Sequence, residues 1–249
     1  MGLRQRVALD MAAPASAVTA SARLENVVVT ANKVVPEQLG DLKLYRVPER
    51  TTLASRQSKQ VRLMDRTEIP VGTVYGAELE ADQAEPELTA PAHRLLRSMN
   101  TAVNHLGLAL PSGTVEVFAH RDGQRLLQSE TGMRDTAVNE ALEIDLGSSA
   151  DVQVSQVKEK AGVDSAHAQL LPLVPGVILR TVKVNGTQRV AVSNALAAAI
   201  QFELRLRLPE GGRVVRADRP LGAKNGRPVF HLTVPAHQTA TLRYQWQSG

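Results

Sequence analysis

The sequence predicts an all-β protein, built as two tandem antiparallel β-sandwich domains after a flexible N-terminal segment. Three observations predict it. Apolar and polar residues alternate with a period of two wherever the pattern is strong, which places alternate side chains on opposite faces of a strand. Turn-forming pairs recur at short intervals between the alternating runs. Helical patterns are poor: the alanine-rich residues 194–199 are too few to stand as a helix alone.

In chain order, residues 1–21 carry two arginines, but Asp10 breaks their apolar stretch, so no signal-peptide core forms. Residues 11–22 are rich in Ala, Ser, Pro and Thr and read as a linker, within a flexible segment spanning 1–38. A linker so near the start is expected where a longer protein, with a secretion signal, extends upstream. The first β-domain is expected at 39–160. In it Val115 and Val117 flank Glu116, and Leu142, Ile144 and Leu146 flank Glu143 and Asp145. Pro111-Ser112-Gly113 and Asp122-Gly123 supply turns, while residues 80–95, with two prolines, read as an insertion loop.

Residues 161–176 read as a second loop, dividing the chain before a second domain at 170–249. Asn185-Gly186 lies between ILRTVKV and TQRVAVS, a strong hairpin signal because both residues tolerate positive φ. The clearest strand is 201–208, with Phe202, Leu204, Leu206 and Leu208 on one face and Glu203, Arg205 and Arg207 on a wet one. Gly211-Gly212 and Asn225-Gly226 mark further turns. Phe230, Leu232 and Val234 alternate with His231 and Thr233, and Leu242, Tyr244 and Trp246 with Arg243 and Gln245.

Composition narrows the function. The chain has 249 residues, 43% of them apolar, enough for a sizeable core. Aromatic residues make up only 3%, which argues against the exposed stacking platforms of sugar- and single-strand-binding proteins. There is no cysteine, and therefore no disulfide, thiolate metal site or thiol nucleophile. No apolar run approaches the ~18 residues of a membrane-spanning helix. Net charge is +4, but from Arg180 onward 11 basic residues face 3 acidic ones, against 18 and 22 before it. That asymmetry supports two domains of different surface character.

Three stretches carry a family resemblance. LGDLKLYRVPERTTLASRQSKQVRL (39–63), MNTAVNHLGLALPSGTVEVFAHRDGQRLL (99–127) and NEALEIDLGSSADVQV (139–154) resemble a bacterial domain of unknown function in mucoidy inhibitor A (MuiA)-like proteins. The final ~75 residues, ending in LRYQW, are similar to that family's closing sandwich. Where that sandwich usually carries a mid-domain tryptophan, this chain has Ile200-Gln201-Phe202. The resemblance implies tandem immunoglobulin/fibronectin-like sandwiches and a setting in the bacterial envelope; it implies no reaction and no catalytic residues.

The residues point the same way. His93, His105, His120, His167, His231 and His237 lack metal-ligand spacing, although a turn could bring His231 to His237. Glu143 and Asp145 stand about 7 Å apart on one strand face, a spacing that glycoside hydrolysis could use and that any solvated strand also shows. No Gly-x-Ser-x-Gly or P-loop pattern occurs. No catalytic residue, cofactor or metal is therefore expected. Arg213, Arg216, Arg219, Lys224 and Arg227 form a candidate anion-binding segment, with no interleaved aromatic and no recognition helix for nucleic acid. Val27, Val28, Val29 and Thr30, just after the linker, resemble a TonB box and form a candidate strand-docking segment.

The expected function is a non-enzymatic β-sandwich module of the periplasm or cell envelope that binds protein or an anionic surface polymer. Nucleic acid and a membrane span are not expected. The alternatives are an envelope-polymer hydrolase using acidic residues, and polyanion binding through 213–227.

Overall fold

The computed structural model describes residues 64–174 and 177–248, together with the strand segments 29–30, 36–39, 42–45 and 61–62. The strands are β1 (Val29–Thr30), β2 (Pro36–Leu39), β3 (Leu42–Tyr45), β4 (Val61–Arg62), β5 (Gly72–Glu80), β6 (Glu87–Met99), β7 (Gly113–Arg121) and β8 (Gln124–Met133). They continue with β9 (Ala141–Val174), β10 (Val177–Asn194), β11 (Ile200–Arg207), β12 (Arg213–Ala217), β13 (Gly222–Lys224), β14 (Arg227–Val234) and β15 (Thr239–Gln247). One 3-10 turn, Ala102–Asn104, is the sole helical element among the described residues. The protein is all-β, as its alternation predicts.

Nine strands form one sheet in the order β12-β15-β10-β9-β6-β5-β11-β14-β13. The β10–β15, β10–β9, β11–β14, β12–β15 and β13–β14 ladders are antiparallel, and β5 runs parallel to β11, with Leu204 beside Ala77. The two edge strands, β12 and β13, are consecutive in the chain and joined by residues 218–221 alone. So short a link between opposite edges requires the sheet to curl. The Phe230 ring on β14 accordingly lies 6.1 Å from the Tyr244 ring on β15.

The chain divides into two compact units, each assembled from two stretches. One comprises Met1–Gly72 and Leu96–Leu146, the other Thr73–Leu95 and Gly147–Gly249. The units are thus interleaved, where the sequence suggested the consecutive spans 39–160 and 170–249. In the first unit, Val115 and Val117 on β7 pack with Leu96, Leu142 and Ile144. In the second, Phe202, Leu204, Phe230, Leu232, Leu242 and Tyr244 form the centre of a larger core.

Two segments read as loops are strands. Residues 87–95 belong to β6, and 161–174 complete β9. Neither has strand-like text, but each lies beside partners that take up its backbone hydrogen bonds: β6 between β9 and β5, and the far half of β9 along β10, with Val163 opposite Val184 and Pro172 opposite Ile178. Asn185-Gly186 is a third correction. It lies within β10, between Gln247-Trp246 of β15 and Gly162-Ala161 of β9, and neither residue has positive φ. The glycine serves close approach instead: a Cβ at Gly186 would stand 2.6 Å from Trp246 Nε1. Asp122-Gly123 and Asn225-Gly226 do form the expected turns, with φ of 52° and 77°, and 50° and 76°.

Each unit also contains a buried asparagine that ties loops to a strand end. Asn100, following β6, donates from Nδ2 to Leu108 O at 2.7 Å and Ala137 O at 2.9 Å, and accepts from Gly107 N at 2.9 Å. Asn194, closing β10, donates to Ala198 O and Pro235 O, both at 2.9 Å, and accepts from Leu196 N at 3.0 Å. Backbone bonds such as Leu106 N to Thr101 O and His237 N to Leu196 O close part of each loop, and the asparagine side chain supplies further partners. Asn194→Ala leaves several of these groups unpaired and should cost about 1–3 kcal/mol. Urea denaturation should show a lower midpoint at unchanged slope.

Candidate functional site

The structure separates the five cations of 213–227 into two kinds. Lys224, on β13, donates to Glu203 Oε1 at 3.2 Å, and Arg227, opening β14, pairs with Glu78 on β5. Arg205 joins Glu203 at 2.6 Å, and Arg207 bridges Glu78 and Glu80, each at 2.6 Å. The hydrogen bond to Glu78, ahead of its charge, raises the Arg207 pKa above its ordinary value. Glu203, expected on a wet face, is only 1% exposed, because these cations cover it and Gly76 stands beside it on β5. Arg213, Arg216 and Arg219 differ. Exposed on β12 and the following link, they make no ion pair with a described residue.

Of the candidate strand-docking residues, Val29 and Thr30 form β1, parallel to Val61 and Arg62; Val27 and Val28 lie outside the described residues. His231 is exposed on β14 and His237 sits in a turn with φ of 54°. No group of three or more His, Cys, Asp or Glu that could hold a metal occurs among the described residues. Glu143 is held by Arg97, whose Nε donates to it at 2.7 Å.

A cavity of ≈ 270 Å³ opens in the second unit, and the sequence reading did not anticipate it. Three neighbouring strands build it by the same progression along their inward faces. Val152 and Val154 on β9 give way to Gln156 and then Lys158. Val192 and Val190 on β10 give way to Gln188 and Gly186, and Leu242 on β15 to Tyr244, Trp246 and then Ser248. Cross-strand register aligns these rows: Gln188 lies opposite Lys158 on one side and Tyr244 on the other, and Gly186 opposite Trp246. A bulge at Glu159 brings Lys160 and Ala161 to the same cavity, which Asp82, Val184, Asn185 and Pro209 complete.

The polar stretch of these rows is buried. Gln156 Nε2 donates to Glu80 O at 2.9 Å and to the Tyr244 hydroxyl at 3.2 Å, and Gln188 Nε2 donates to Ala81 O at 2.9 Å. Gln156 Oε1, Gln188 Oε1 and Trp246 Nε1 have no hydrogen-bond partner among the described residues. Burial, reinforced by the negative charge of Asp82, raises the Tyr244 phenol above its ordinary 10.0. Single-sequence reasoning could have found this site only by noticing that three alternating runs each turn polar at one end.

A scan against models of known protein families, a search of curated proteins and a search of solved structures each found no match.

Two outcomes follow from this geometry. Gly186→Ala drives a methyl into the Trp246 indole and should cost about 1–3 kcal/mol, with a shifted emission spectrum from the one tryptophan. The raised Tyr244 pKa favours the folded state below the ordinary value of 10.0, and that contribution is lost as pH rises beyond it, because the unfolded chain loses the phenolic proton first. Denaturation midpoints measured from pH 8 to about 11 should fall less steeply above pH 10 in Tyr244→Phe than in wild type.

Proposed function

We propose that the protein is a non-enzymatic β-sheet module of the bacterial periplasm or cell envelope, and that it binds an anionic surface polymer through Arg213, Arg216 and Arg219. The observation that carries this reading is the contrast among neighbouring cations. Lys224 and Arg227 are paired with Glu203 and Glu78, while the three arginines beside them are exposed and have no carboxylate partner among the described residues. Guanidinium groups without internal partners can meet carboxylate, sulfate or phosphate bidentately. The envelope setting rests on the resemblance of residues 39–63, 99–127 and 139–154 to MuiA-like proteins.

A polymer is favoured over a protein that adds a strand. β13 is three residues long, and β12 carries a bulge between Val214 and Arg216, so both edges of the nine-stranded sheet are blunted. The sandwich description belongs to the same proposal: Phe230 and Tyr244 meet from two walls of one curled sheet, as facing sheets do in a sandwich.

The test is elution from a heparin column. Arg213→Ala, Arg216→Ala and Arg219→Ala together should lower affinity roughly tenfold or more, since each exposed ion pair contributes up to about 1 kcal/mol. A charge-matched control removes Arg121, Arg134 and Arg227, which pair with Asp122, Glu140 and Glu78, and should elute much nearer wild type. Co-elution of the first triple variant with wild type would overturn the reading.

A further inference from the structure

The geometry points to the cavity at the polar end of β9, β10 and β15 as a binding site for a small sugar acid, a carboxylate bearing several hydroxyl groups. This inference is independent of the arginine row.

Two residues that line the cavity carry hydrogen-bonding capacity that the fold leaves unused. Gln188 is 1% exposed and Trp246 4%, yet Gln188 Oε1 and Trp246 Nε1 have no partner among the described residues, whereas buried polar atoms are nearly always satisfied. The other end of the Gln188 amide is fixed on Ala81 O at 2.9 Å, which sets the orientation of its oxygen. An amide acceptor and an indole donor on residues that line one cavity suit hydroxyl groups, which can offer both roles.

The rim supplies charge. Lys158 donates one N–H to Ala84 O at 2.9 Å and retains two more, while Lys160 is exposed. Two lysines and a single carboxylate, Asp82, line the opening, leaving an excess of one positive charge for a ligand carboxylate. Asn185, Ser248 and Asp82 add an amide, a hydroxyl and an acceptor at the same opening, groups matched to further hydroxyls. Recognition of this kind runs through hydrogen bonds and ammonium groups, with no need for exposed rings to stack on.

Size and shape agree. A volume of ≈ 270 Å³ lies just below the about 300–1,000 Å³ of small-molecule pockets and so suits a small ligand such as a single sugar unit. Two glycines maintain the wall. Gly186 lies against the indole, and a Cβ at Gly162 would stand 2.8 Å from Asn185 Oδ1, displacing that amide.

The test is a titration of the full chain with galacturonate, followed by fluorescence of Trp246, the one tryptophan in the sequence. A saturable change is expected, with galactose, which lacks the carboxylate, and acetate, which lacks the hydroxyls, each at least about tenfold weaker. Lys158→Met combined with Lys160→Met should weaken galacturonate at least about tenfold while circular dichroism stays unchanged. Should that double variant lose its fold, Lys160→Glu, at an exposed position, carries the same expectation. Absence of saturation, an equal response to acetate or galactose, or undiminished affinity in the lysine variants would overturn the assignment. So would loss of the monomer response in the Arg213, Arg216 and Arg219 variant, since that places the ligand at the arginines. Trigalacturonate binding tighter than the monomer identifies a polymer as the source of the sugar acid; weaker binding identifies the free sugar acid.

Discussion

Residues 218–221 join the two outer edges of a nine-stranded sheet, and much of the second unit follows from that connection. Laid flat, nine strands at about 4.8 Å spacing would put their edges about 38 Å apart. The backbone from Ala217 to Gly222 spans at most about 18 Å. The sheet must therefore curl until its edges approach, and curling turns one face of every strand inward. Phe202, Leu204, Phe230, Leu232, Leu242 and Tyr244 are buried together for that reason. The same closure sets the two halves of the basic segment apart. Lys224 and Arg227 follow β13 and β14 to the carboxylates of β5 and β11, whereas Arg213 and Arg216 stay on the opposite edge, beside β15, where no described acid pairs with them.

The buried amide side chains fall into two classes with different physical meanings. Asn100 and Asn194 satisfy their amide groups with backbone partners, as a side chain must when it replaces a ladder that ends. They hold loops. Gln156, Gln188 and Trp246 are equally buried but retain unpaired atoms, all at the end where three apolar rows turn polar. A core built solely for stability would place apolar side chains there, since an unpaired polar atom costs about 1–3 kcal/mol. Gly186, which sacrifices strand propensity to admit the indole, belongs to the same arrangement.

Outside the core, the ion pairs on β5, β11, β13 and β14 explain how a buried acid is accommodated. Glu203 alternates out of the apolar core as its sequence position requires, but Arg205 and Lys224 close over it. Alternation assigns a side chain to a face of the sheet. Whether water reaches that face depends on the long cations of the neighbouring strands.

What the sequence determined by itself is therefore local. The runs at 115–117, 142–146, 201–207, 230–234 and 242–246 are strands with the predicted inward residues, because a period of two is a property of consecutive side chains and needs no partner. The turns at Asp122-Gly123 and Asn225-Gly226 were equally legible, since positive φ is a local demand. Everything that depends on partners was settled by tertiary structure. Residues 87–95 and 161–174 are strands through their neighbours, against their own text; Asn185-Gly186 stays extended because β9 and β15 flank it; and five separate segments meet at the cavity. Strand pairing joins residues such as Leu204 and Ala77, more than a hundred positions apart, and no local spacing in one sequence encodes which of them will meet.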